Sequence, residues 1–142
     1  MPSAKFVSPK NLDTIQANQT FAVILAVKNL DTGNFVNANT NYYSAPQQLN
    51  SLKIIKGHTH IVIESLDSLD QTTPTDPTRF TTFKGVNTVA VNGQLNATID
   101  DGLPAGQYKL STINTAANHQ PVLVPIAQRG SLDDSVYVSQ KM

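Results

Sequence analysis

The sequence predicts an all-β protein with the architecture of an immunoglobulin-like antiparallel β-sandwich of about seven to nine strands. Its apolar segments are short, rich in β-branched residues and alternate with polar residues, as in half-buried strands. Helical periodicity is nearly absent. Turn signals separate the segments at short intervals, which is typical of sandwiches and barrels.

The strands can be assigned in order from these segments. The clearest covers residues 20–29, where Phe21, Val23, Leu25 and Val27 alternate toward one face. The full set of expected strands is 4–8, 20–29, 52–55, 58–64, 86–91, 94–100, 106–113, 122–126 and 135–139.

Turn and loop residues set the expected boundaries between the strands. Lys56-Gly57 predicts a bulge or bend between two strands, because glycine weakens a strand interior. Asn92-Gly93 predicts a two-residue hairpin turn, since both positions accept positive φ. The polar residues 34–50 and 66–78 predict two long loops.

The segment 95–110 narrows the choice of architecture. Tyr108 follows a turn and precedes Leu110 by two residues, as at the corner between strands E and F of an immunoglobulin-like domain. There the tyrosine hydroxyl bonds back to the upstream backbone, and Leu110 fills a core slot. The alternative is an ordinary hairpin with a buried tyrosine.

Length and composition restrict both organisation and function. The 142 residues suit one domain, 1–142, with its own core. The absence of cysteine excludes disulfides, thiolate ligands and cysteine nucleophiles. Ten basic and ten acidic residues cancel, and no basic run exists, which argues against nucleic acid as a partner.

Localisation signals are sparse. The longest apolar run, residues 21–27, is far shorter than the roughly 20 residues of a transmembrane helix, so we expect no transmembrane segment. The start lacks the pattern of a signal peptide. Low charge with many Asn, Thr, Ser and Gln favours a secreted or cell-surface protein whose signal has been removed, with a cytoplasmic location as the alternative.

Three histidines form the best candidate site. His58 and His60 are two residues apart on one expected strand and therefore share a face, outward or in a cleft, opposite Ile61 and Ile63. If this strand is C and 106–113 is F, then His119 lies just past the end of F, beside the start of C. Three imidazoles suit copper or zinc. The alternative is a structural role, with the histidines bonding loops to backbone carbonyls.

A second candidate surface combines aromatic and amide side chains. Tyr42 and Tyr43 lie in the polar loop, with Asn41 beside them and Asn118 near His119. Aromatic faces with amides are what a sugar-binding surface needs, so a glycan or cell-wall polysaccharide is a candidate partner. The alternative is a solvated loop with one buried tyrosine.

Catalytic signals are weak. A hydrolytic triad can be drawn only on paper, from Ser131 or Ser135, Asp133 or Asp134, and His119, and the nucleophile-elbow pattern is absent. We therefore expect a protein that is not an enzyme, and a hydrolase is the minority hypothesis.

Two long motifs carry a family resemblance. Residues 56–64 (KGHTHIVIE) and 113–121 (INTAANHQP) resemble a family of small, mostly uncharacterised fungal proteins, some labelled as a ribosomal protein. The resemblance implies a secreted or wall-associated protein, often with a serine-rich tail that is absent here. A weaker similarity to bacterial domains of unknown function, with a Gly-His-x-His strand and a late histidine, supports His58, His60 and His119 acting together.

The leading hypothesis is thus an extracellular or cell-wall-associated binding module with a three-histidine copper or zinc site. A carbohydrate-binding, lectin-like module without metal is the alternative.

Overall fold

The computed structural model describes residues 1–142 and is almost entirely β-structure. No helix is both long and apolar enough to cross a lipid bilayer. The elements in chain order are β1 (Ser3–Ser8), β2 (Thr14–Gln16), β3 (Phe21–Lys28), β4 (Leu30–Asp31), α1 (Ala38–Asn41), β5 (Ile55–Leu66), β6 (Thr82–Val86), β7 (Gln94–Ile99), β8 (Gly106–Ala116) and β9 (Ser135–Lys141).

Two sheets make up the fold. The smaller has the order β1-β3-β7, and all its pairs are antiparallel. The larger has the order β2-β9-β8-β5, and both β4 and β6 pair with the free edge of β5. With β3 as strand B, β5 as C, β7 as E and β8 as F, this is the strand arrangement of an immunoglobulin-like sandwich, which confirms the predicted fold class.

The core lies between the two sheets. The smaller sheet contributes the alternating residues Val23 and Leu25, both fully buried. The larger contributes Ile61, Ile63 and Leu110, which are equally buried. Burial of such side chains stabilises the fold by about 1.5 to 3 kcal/mol each. Leu110 thus occupies the core slot expected of it.

The tyrosine corner is present. Tyr108 Oη donates a hydrogen bond of 2.9 Å to the carbonyl oxygen of Pro104, four residues upstream. Burial raises the pKa of the Tyr108 hydroxyl, which keeps it protonated as the donor. This bond fixes the connection between β7 in one sheet and β8 in the other.

The predicted break at Lys56-Gly57 is wrong. Strand β5 runs continuously through Gly57, which pairs with Ala116 of β8. A Cβ atom at Gly57 would lie 1.9 Å from the carbonyl oxygen of Thr115, so glycine is needed for close backbone approach rather than for a bend. Residues 52–54 lie outside the strand, and Lys53 there has a φ of 64°.

Two other expected strands are also wrong. Strand β6 ends at Val86, where the expected 86–91 strand begins. Asn92 and Gly93 do adopt the positive φ of the expected turn, but only Val91 and Gln94 bridge across it, because β6 and β7 belong to different sheets. Residues 122–126 form no strand, although Val122 is buried against the β5–β8 pair.

Four elements have no counterpart in the prediction: β6, apart from Val86 at its end, and three shorter ones. Strands β2 and β4 and helix α1 contain two to four residues each, too few to show periodicity. Helix α1 lies within the expected 34–50 loop, and its cap is the Asn37 side chain, which accepts from the backbone N–H of Asn39 at 3.0 Å.

Candidate metal centre

The histidine positions follow from the pairing of β5 with β8. His58 and His60 point to the outer face of β5, away from the core between the sheets. The end of β8 lies beside the start of β5, because Gly57 pairs with Ala116. The chain then turns back sharply: His119 has a φ of 70°, and its N–H donates to the Ala116 carbonyl at 3.0 Å. This turn brings the third imidazole over the first two.

The three rings meet through one nitrogen each. His58 Nε2 lies 2.9 Å from His60 Nε2 and 3.1 Å from His119 Nδ1. One ring nitrogen from each histidine lies within 4.8 Å of the other two. The His60 and His119 rings are nearly parallel, with an angle of 5°, and the His58 ring stands at 72° to both.

The outward nitrogens of two rings are tied to backbone carbonyls. His58 Nδ1 donates to the carbonyl oxygen of Asn34 at 2.9 Å, and His119 Nε2 donates to that of Val36. The backbone N–H of Asn34 donates in turn to Gly57 O at 3.0 Å, and that of Val36 donates to Ala117 O at 2.9 Å. A carbonyl can only accept, so each of the two imidazoles carries a hydrogen on its outward nitrogen, and in the neutral form of the ring the inward nitrogen has the lone pair.

Both histidines of β5 are buried. His58 is 0% exposed and His60 is 6% exposed, so of the two predicted settings, outward or in a cleft, the outward one is wrong. His58 is enclosed by the covering loop, which we define as residues 34–47, and His60 by the rings of His119 and Phe83. Side chains of the His119 segment hold this loop: Asn118 Nδ2 donates to Ala45 O at 2.8 Å, and Gln120 Nε2 donates to Tyr42 O.

Burial favours the neutral form of His58 and His60. Desolvation is the main cause that lowers the pKa of His58, although its bond to Asn34 acts in the opposite direction. Desolvation, followed by repulsion from His58 and His119, lowers the pKa of His60 to about 4. Both imidazoles are therefore neutral near pH 7, the form that binds metal ions.

The structure brings together some of the candidate sugar-binding residues. Tyr43 is 91% exposed, and its ring lies 4.9 Å from that of Tyr42 in an edge-to-face arrangement. Asn41 is close by and accepts from Ser44 Oγ at 3.3 Å. Asn118 is buried instead, and both ends of its side chain bond to backbone groups.

The residues considered for a hydrolytic triad have other hydrogen-bond partners. Asp133 accepts from the Asn114 N–H at 2.7 Å, and Asp134 accepts from the Phe6 N–H at 2.8 Å. Ser135 Oγ lies 2.9 Å from Ser111 Oγ, while both nitrogens of His119 face Val36 or His58. These contacts make the two carboxylates structural acceptors.

Sequence reasoning missed the groups that orient the rings. The carbonyls of Asn34 and Val36 carry no sequence signal, since every residue has one. Thr115 was also missed; its Oγ1 lies 3.2 Å from both His58 Nε2 and His58 O. The signal that could have found Thr115 is register, because it pairs with His58 across the β5–β8 ladder.

Comparisons with known proteins place the chain in a family. Residues 4–141 match the CLU5d N-terminal domain. The chain is also 45% identical over 136 residues to pathogenicity cluster 5 protein d of the fungus Colletotrichum graminicola (strain M1.001 / M2 / FGSC 10212). That alignment covers 94% of this chain and 28% of the relative, so the chain spans less than a third of the relative's length. A fungal family was predicted from the motifs, and the chain belongs to the CLU5d N-terminal domain family.

Proposed function

We propose that this chain is a binding module that holds a copper or zinc ion through His58 Nε2, His60 Nε2 and His119 Nδ1. The observation that carries the proposal is the convergence of three ring nitrogens, one from each histidine. In His58 and His119, the other ring nitrogen donates its hydrogen to a backbone carbonyl. Imidazole nitrogens bind such ions at about 2 Å, and three protein ligands form a complete set for an open site.

A count of hydrogens supports this role. Each neutral imidazole carries one N–H, and those of His58 and His119 are used on backbone carbonyls. His60 can donate one hydrogen to His58 Nε2, 2.9 Å away. His58 Nε2 and His119 Nδ1 still face each other at 3.1 Å, lone pair to lone pair. With the His60 hydrogen on Nδ1 instead, one cation among the rings accepts all three inward lone pairs at once.

The competing role is purely structural. The bonds from His58 and His119 to the Asn34 and Val36 carbonyls attach the covering loop to the sandwich, with or without an ion. The two roles use different nitrogens of the same rings. They can therefore be separated by substitutions that remove the inward nitrogen and keep the outward donor.

The experiment uses this difference. In His58→Asn the amide nitrogen replaces Nδ1, and in His119→Gln it replaces Nε2, so each variant keeps its bond to the loop. We expect wild-type protein, purified without a histidine tag, to bind about one copper or zinc ion per chain. Both variants should lose the ion while their circular dichroism spectra remain unchanged.

Thr115→Val is the matched control, because it removes a hydroxyl beside His58 Nε2 and no imidazole. It should retain the ion. Wild-type protein with less than about 0.2 ion per chain after exposure to both metals would contradict the metal role and leave the structural one.

The biological setting is a further part of the proposal. The Colletotrichum relative is named for a pathogenicity cluster, and its chain extends well beyond the region aligned here. We place the present module in a secreted or cell-surface fungal protein. Fractionation of a fungal culture expressing the full-length protein tests this: signal in the culture filtrate or wall fraction is expected, and signal confined to the cell lysate would contradict it.

A carbohydrate-binding module is the second candidate. It is favoured by the exposed Tyr43 ring beside Tyr42 on the covering loop. Co-sedimentation with insoluble wall polysaccharide should be lost in Tyr43→Ala and kept in Tyr137→Ala, a partly exposed tyrosine on β9. Equal sedimentation of both variants would contradict this function.

A further inference from the structure

The ligand set of the histidine site carries no negative charge. All three candidate ligands are imidazoles, which carry no negative charge whether neutral or protonated. The chain has no cysteine that could supply a thiolate. No carboxylate belongs to the group of side chains whose ligand atoms converge there.

The groups behind the ligands are neutral as well. His58 and His119 bond to the backbone carbonyls of Asn34 and Val36, where a carboxylate would supply compensating charge. The hydroxyl of Thr115 is the other polar neighbour. The aromatic neighbours are Phe35, with its ring 6.2 Å from that of His58, and Phe83, 4.8 Å from that of His60.

The charged residues of β5 do not compensate either. Lys56 shares the face of His58 by strand alternation, and its charge is positive. Glu64 lies four residues beyond His60, about 13 Å along the strand, and its carboxylate pairs with Lys109 at 3.7 Å. An ion at the histidines therefore keeps its full charge in a buried setting.

Charge and coordination number then decide between ions. The cost of burying an ion scales with the square of its charge, so it is about four times larger for a divalent ion than for a univalent one. Zinc takes a fourth ligand, such as water, even where a protein supplies only three. Univalent copper is commonly two- or three-coordinate, so three imidazoles complete its set. We infer that the three-histidine site is selective for univalent copper over divalent zinc, an inference that rests on the proposed metal-binding function.

The test is a pair of competition titrations on the wild-type chain under strict anaerobic conditions. Univalent copper is titrated against bathocuproine disulfonate, and zinc is titrated against a chromophoric zinc chelator. We expect a Kd for univalent copper at least about a thousandfold below that for zinc. Copper X-ray absorption of the complex should show three nitrogen neighbours.

The outcomes separate the two levels of the proposal. Zinc binding as tight as copper binding would overturn the selectivity and leave the metal-binding function standing. Failure of both ions to bind would remove the selectivity and the metal-binding function together.

A charge substitution tests the physical cause. Phe83 is 47% exposed on β6 with its ring against His60, so a polar side chain is tolerated there. Phe83→Glu places a carboxylate beside the site and should narrow the ratio of the two Kd values by about tenfold or more. Phe83→Gln, the neutral control of matched shape, should leave the ratio unchanged. Equal ratios in the two variants would contradict the charge argument.

Discussion

The two faces of strand β5 are both buried, but by different parts of the molecule. On the inner face, Ile61 and Ile63 pack against the opposite sheet within the main core. On the outer face, His58 is covered by residues 34–47 through the Asn34 carbonyl and the Phe35 ring, and His60 lies against the ring of Phe83. A sheet presents apolar side chains to its partner, whereas a loop presents unpaired backbone groups.

This difference explains why polar chemistry is confined to one face. A buried imidazole needs a hydrogen-bond partner, and only the loop side offers free carbonyls. On the inner face of β5, the polar Thr59 is paired within the sheet, where its Oγ1 donates to Asn114 Oδ1 at 2.7 Å. We therefore expect the inner face to determine stability and the outer face to determine binding.

The largest expected effect is on the inner face. Ile61→Ala removes a fully buried side chain and should lower the free energy of unfolding by about 3 to 4 kcal/mol. Val62→Ala, the neighbouring substitution on the outer face, should cost about 1 kcal/mol or less, because Val62 is only partly buried. Urea denaturation measures both values. Similar costs at the two positions would contradict the distinction between the faces.

Metal addition should stabilise the protein through the outer face. At a free ion concentration of about 100 times Kd, the free energy of unfolding should rise by about 2.7 kcal/mol. His119→Gln should show no gain, because it lacks the inward Nδ1. Thermal or urea unfolding with and without the ion measures the difference. An equal gain in the variant would place ion binding elsewhere.

Acid should weaken the metal-free protein through the same face. The pKa of His60 is about 4 in the folded chain, against about 6.5 when unfolded, so the unfolded state binds more protons between these values. Stability should therefore fall as the pH drops from about 6.5 to about 4, by about 2 kcal/mol after partial solvent screening. His60→Gln should remove this component from urea midpoints measured across the window. If the urea midpoints of the wild-type and His60→Gln proteins fell in parallel across this pH range, protonation of His60 would not be the cause.

The smallest effect is expected at the corner that joins the sheets. Tyr108→Phe removes the hydroxyl that bonds to Pro104 O and leaves the ring in the core. The expected loss is about 1 kcal/mol. Metal affinity should not change, because the corner is not among the groups that contact the three rings. A loss of metal binding in this variant would show that the two faces are coupled.

Residue pattern predicted those features that depend on local spacing. The alternation in 20–29 located β3, and Tyr108 with its upstream turn identified the corner. The spacing of His58 and His60 placed them on one face. The break at Gly57 and the strand 86–91 were wrong because a glycine or a short apolar run has the same local pattern whether or not a neighbouring strand pairs with it.

The sequence by itself determined the all-β class, the core alternation and the presence of three imidazoles in a chain without thiols. Only the tertiary structure decided that the three rings meet and that loop carbonyls orient those of His58 and His119. The physical reason is that alternation and turn propensity act over a few residues. The site instead depends on contacts between segments as much as 83 residues apart, which form only when strand register and loop closure are fixed together.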